Sequence, residues 1–142
     1  MKTLLTTIIL LMSLHFSAQE VSNEIKNALK NDNATLLKKV INNENLNTCF
    51  NAGNSKYTLL ILTLKYNTKA CFELLINEKV DVNKECSGKT PLIYAAKYGR
   101  LKMAKRLIRK GADSTLKYKG RTALAYAKKY KKTALIAYLE SL

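Results

Sequence analysis

Apolar residues in this chain fall in doublets four positions apart: Leu36-Leu37 precedes Val40-Ile41, and Met103-Ala104 precedes Leu107-Ile108. That spacing keeps one stripe of an α-helix apolar and leaves the rest polar, so each such segment predicts a short helix with one buried side. Gly111 follows one of these helices, where a left-handed residue commonly ends it. Pro91 stands where a missing N–H is harmless, in a helical first turn. None of these segments can bury its stripe alone, so each needs a neighbour.

Sliding the sequence against itself by 32 residues supplies the neighbours. Thr58, Thr90 and Thr122 come into register, each followed two positions later by Leu60, Leu92 or Leu124. Lys65-Tyr66, Lys97-Tyr98 and Lys129-Tyr130 align, as do Asp81 with Asp113, Gly88 with Gly120, and Leu75-Ile76 with Leu107-Ile108. A period of this length signals units that stack, each touching only those beside it.

Thr90-Pro91-Leu92-Ile93-Tyr94-Ala95-Ala96-Lys97-Tyr98-Gly99-Arg100 resembles the ankyrin signature T-P-L-H-x-A-A-x-x-G-H, and Leu107-Ile108-Arg109-Lys110-Gly111-Ala112-Asp113 is similar to its L-L-x-x-G-A-D continuation. The resemblance implies an all-α solenoid of about four helix-turn-helix pairs joined by short β-hairpin-like loops. The units are a cap repeat over 23–57, repeats over 58–89 and 90–121, and a C-terminal cap over 122–142. Ile93 and Arg100 stand where the family usually has histidine. In the repeat that opens at Thr58, Leu59 replaces the proline and Asn67 the glycine. Glu140 fills the slot held by Ile76 and Ile108, which puts charge on the side where a further repeat would have stacked.

The same resemblance implies where a partner binds, namely the hairpin tips and the inner face of the first helices. The hairpins contribute Tyr57, Lys89, Tyr118, Lys119 and Arg121, together with Asn54, Ser55, Cys86 and Ser87. The ends of the first helices contribute Lys65, Tyr66, Lys97, Tyr98, Lys129 and Tyr130. Stacking is expected to place Tyr66, Tyr98 and Tyr130 in one column, with Lys65, Lys97 and Lys129 in another beside it. Tyrosine gives a large contact area with few rotatable bonds, which suits a binding face. The plainer reading is that each tyrosine covers a hairpin and each lysine keeps the surface soluble. Of the three cysteines, Cys71 takes a core slot, Cys86 belongs to an exposed hairpin tip and Cys49 to the preceding loop. A Cys49–Cys86 disulfide joining adjacent hairpins is expected.

Charge narrows the partner rather than the fold. The chain has 142 residues, room for one compact domain, and a formal charge of +15. From 87 to 142 there are 15 basic residues against Asp113 and Glu140 alone, whereas 19–86 carries 9 basic and 8 acidic residues. A field so placed attracts anionic partners. Because the positive residues wrap the end of the solenoid instead of tracing one groove, nucleic acid is disfavoured. An acidic protein is expected, and the alternative is charge-driven association with an anionic membrane or envelope polysaccharide.

Residues 1–18 read as a signal peptide: Lys2 begins it, Leu4 to Leu14 form an apolar run too short to span a bilayer, and Ser17-Ala18 offers a small-residue exit. Export to the periplasm or the medium is therefore expected. Cleavage would remove His15, the one histidine in the sequence, and with it the commonest general base and metal ligand near neutral pH. With no glycine-rich phosphate loop and scattered carboxylates besides, no catalytic residue, metal site or cofactor is expected.

Overall fold

The computed structural model describes residues 20–142. The expected signal peptide lies outside them. Four helix pairs follow one another: α1 (Asn23–Lys30) with α2 (Ala34–Val40), α3 (Leu59–Tyr66) with α4 (Lys69–Asn77), α5 (Pro91–Tyr98) with α6 (Leu101–Arg109), and α7 (Ala123–Lys129) with α8 (Thr133–Glu140). Two strands, β1 (Phe50–Ala52) and β2 (Ser55–Tyr57), form an antiparallel hairpin ahead of α3. The first helices α1, α3, α5 and α7 pack in one row, and α2, α4 and α6 pack behind them in another.

Local chemistry explains why the helices start and stop where they do. The hydroxyls of Thr58, Thr90 and Thr122 accept the N–H groups of Ile61, Ile93 and Ala125 at 3.2, 3.3 and 3.4 Å. Each threonine thereby satisfies a donor the helix leaves free at its first turn. At the other end, Asn67 (φ 61°) and Gly99 (φ 70°) turn left-handed and let the second helix fold back. Asparagine tolerates this region better than other residues with a Cβ, so Asn67 replaces the signature glycine without loss of the turn. Asp32 and Lys131 also have positive φ, at the corresponding corners of the first and last pairs.

Burial follows position in the stack. Leu59 to Leu64 in α3 and Pro91 to Ala96 in α5 are all buried, because these helices are enclosed by a neighbour on each side and by their own second helix. Ala95 and Ala96 are fully buried and allow the close approach this requires. The second helices are amphipathic instead: α6 buries Met103, Ala104 and Leu107 and exposes Lys102, Lys105 and Arg109. Two asparagines tie successive loops together. Asn47 accepts from Asp81 N–H (2.7 Å) and donates to the Lys79 carbonyl (3.3 Å), and Asn83 repeats this with Asp113 (2.8 Å) and Gly111 (3.1 Å). Asp81 and Asp113 in turn accept the N–H two residues on, fixing each loop's bend.

Cys49 and Cys86 are joined by a disulfide with a Cα–Cα separation of 5.7 Å. Cys86 is buried rather than exposed, because the turn it opens lies down against the preceding hairpin, where Ser87 Oγ accepts the Lys56 N–H at 3.0 Å. Glu140 is exposed at the last helix and pairs with Lys128 at 2.7 Å. Among the described residues no helix is long and apolar enough to cross a membrane.

Candidate functional site

The later two hairpins shrink to single bridges, Cys86↔Lys89 and Tyr118↔Arg121. Their central residues, Ser87-Gly88 and Lys119-Gly120, all have positive φ, as the tight type I′ turn demands. Such turns project Lys89, Lys119 and Arg121 beside the first helices. Lys89 Nζ lies 3.9 Å from the centre of the Tyr118 ring and 5.8 Å from that of Tyr94, so a cation from one hairpin covers an aromatic from the next. Lys119 reaches the same Tyr118 ring at 5.5 Å.

At the ends of the first helices the pattern recurs. Lys65 stands 4.6 Å from the Tyr57 ring and 5.9 Å from that of Tyr66. Lys97 lies 5.2 Å from Tyr98 and 6.0 Å from Tyr130, one repeat further on, and Lys129 lies 5.6 Å from Tyr130. A cation within about 6 Å of an aromatic centroid is attracted to the ring face. Stacked tyrosine rings lie along a helix, Tyr94 with Tyr98 at 6.2 Å and Tyr126 with Tyr130 at 6.3 Å. The two separate columns expected from the period are therefore interleaved, and the step from α5 to α7 is made by Lys97 between two tyrosines.

Exposure sorts these residues. Tyr66 and Tyr130 are 44% and 38% exposed, and Lys119, Arg121 and Lys129 are exposed with them. Lys65, Lys89, Lys97, Tyr98 and Tyr118 are half-buried. Tyr57 is corrected from a binding position to a packing one: it is only 9% exposed, sits edge-on to Tyr94 at 5.6 Å and is covered by Lys65. Tyr94 forms the floor beneath the site. Burial first, and then the neighbouring tyrosines, push its phenol well above the ordinary range, so it stays neutral.

Some positions that shape this face carry no periodic signal. Arg100 Nε donates to the Leu64 carbonyl at 3.0 Å, satisfying the end of the previous repeat's first helix. The nonstandard arginine at the signature's histidine slot is thus a bond between repeats. Among the described residues no group of three or more His, Cys, Asp and Glu side chains is placed to hold a metal ion.

Comparison with family models finds that the model for ankyrin repeats (3 copies) matches residues 25–118, which is 94 of 142 residues. The chain belongs to the ankyrin-repeat family. Comparison with curated proteins finds no match. Ankyrin repeats are protein–protein interaction modules, and the solenoid accordingly offers this chain a surface for another protein. The matched span includes the first helices α3 and α5 and the Cys86–Lys89 turn and ends on Tyr118, the first residue of the second turn, so most of the tyrosine and lysine face belongs to the repeats proper.

Proposed function

We propose that this ankyrin-repeat protein is an exported binding module that docks an acidic protein through its inner face, using Tyr66, Tyr98, Tyr118 and Tyr130 with the lysines between them. The observation that carries the reading is Lys97 held between Tyr98 and Tyr130. It offers a partner a carboxylate-seeking charge framed by flat apolar rings, an arrangement that couples electrostatic steering to contact area. The excess of 15 basic over 2 acidic residues beyond residue 86 supports an acidic partner. The role is that of a binder and not of a catalyst.

The test is affinity capture from the cell envelope and medium with the mature chain beginning at Gln19, alongside Tyr66→Ala, Tyr130→Ala and Lys97→Glu. Loss of one common acidic protein in all three variants is the expected result. Equal recovery by all three removes the inner face from consideration. A second reading, adhesion to an anionic membrane or polysaccharide, draws on the same charge excess. It separates by salt, because purely electrostatic attraction between exposed charges fades within a Debye length of about 8 Å at physiological ionic strength, whereas a tyrosine-lined interface persists.

A further inference from the structure

A second feature lies on the opposite side of the molecule. Between α4 and α6 runs an open cleft of about 430 Å³. Its floor is Phe72 and Met103, which are 1% and 6% exposed. Its rim carries Lys69, Lys102, Lys105 and Arg109, all exposed. Among the described residues, no carboxylate lies within ion-pair distance of these four side chains. Glu73, the one acidic group lining the cleft, is held by Arg106 through bonds of 2.8 and 3.1 Å. That pair ties α4 to α6 and neutralises the charge that would repel an anionic occupant.

We propose that this cleft is a second docking site, for an acidic amphipathic helix of a partner protein. The proposal does not depend on the inner face. Lys102, Lys105 and Arg109 follow one another at three and four residues along α6, so they form one stripe on a helix of 9 residues, about 13 Å long. Cations spread along that length match carboxylates presented at the same spacing by a second helix. A single anionic headgroup would use only one end. The apolar floor is recessed below the charged rim, so it cannot enter a flat bilayer, and a bare polyanion would leave it unused. A helix with leucine beside its glutamates uses both, setting an apolar side chain against the adaptable Met103 thioether. Lys105 also covers the Tyr138 ring at 5.3 Å, which leaves Lys102 and Arg109 as the rim residues best suited to variation.

The test uses the mature chain and a labelled synthetic helical peptide bearing three glutamates at this spacing flanked by leucines. Fluorescence anisotropy should show binding that weakens about tenfold or more in Lys102→Glu with Arg109→Glu, while the charge-matched Lys38→Glu with Lys39→Glu on α2 binds as wild type. Replacing the peptide's leucines by serine should also weaken binding. Equal affinity of the Lys102/Arg109 variant and wild type overturns the proposal. So does cosedimentation with phosphatidylglycerol vesicles that depends on Lys102 and Arg109 when the peptide does not bind, because the occupant is then a flat anionic surface.

Discussion

Asp32 accepts the backbone N–H of Cys71 at 2.8 Å and that of Ala70 at 3.0 Å, and so caps a helix that belongs to the next repeat. The residue at the cap position of that helix, Thr68, makes no side-chain cap bond, and its hydroxyl is buried without a partner. The start of α4 is therefore satisfied from α1's corner, which locks the first pair to the second.

Replacing Asp32 by alanine should destabilise the fold by about 1–2 kcal/mol for the lost cap, with about 1 kcal/mol more for alanine in a left-handed corner. Asp32→Asn should lose less, since asparagine tolerates the corner and keeps one acceptor. Burial tends to raise the Asp32 carboxyl, but the N–H bonds from Cys71 and Ala70 outweigh it and hold it below its ordinary 3.8. A lowered folded value means that its stabilisation is present above the unfolded value of about 3.9 and is lost as pH falls through the folded one. Urea titrations from pH 7 to 2.5 should show the gap between wild type and Asp32→Asn closing below pH 4.

Opening the Cys49–Cys86 bond frees a loop of sequence separation 37, which in the chain-entropy model lowers stability by about 3–4 kcal/mol. Cys49→Ser with Cys86→Ala should melt at the temperature of the reduced wild type, and reductant should then have no further effect. Cys71 gives an internal control. Burial, followed by the bond and charge of Asp32, pushes its thiol up to about 12, so alkylation at pH 8 should leave it unmodified until the protein is unfolded.

Gly88 and Gly120 occupy equivalent left-handed turn positions with different surroundings. A Cβ on Gly88 would stand 2.6 Å from the Tyr118 ring, whereas one on Gly120 meets nothing within 4 Å. Gly120→Ala should cost about 1 kcal/mol from backbone strain alone, and Gly88→Ala about 2 kcal/mol or more because Tyr118 must move. If denaturation midpoints of the two variants coincide, Tyr118 is free to swing away and is not held by its hairpin.

Tyr57 and Tyr66 should separate cleanly in stability measurements. Truncating buried Tyr57 to alanine is expected to cost about 3 kcal/mol, as for other buried aromatics, while Tyr66→Ala should stay within about 0.5 kcal/mol. Similar losses for both would return Tyr57 to the surface.

The sequence by itself determined that this protein is a stack: the 32-residue period, the threonines in register and the doublet spacing are all local or repeat at a constant interval, so one chain displays them in register. The family and the interaction role follow from those residues. Only the tertiary structure decided what equivalent positions do in unequal surroundings. The resemblance places both Tyr57 and Tyr66 on the binding face, yet one is enclosed by Tyr94 and Lys65 and the other faces solvent. Asp32 capping α4, Arg100 bonding to Leu64, and the cleft over Phe72 and Met103 all join residues more than thirty positions apart at offsets that match no motif. The physical reason is that a period tells which residues are neighbours between repeats, but burial, bond partners and cleft walls depend on side-chain packing in three dimensions.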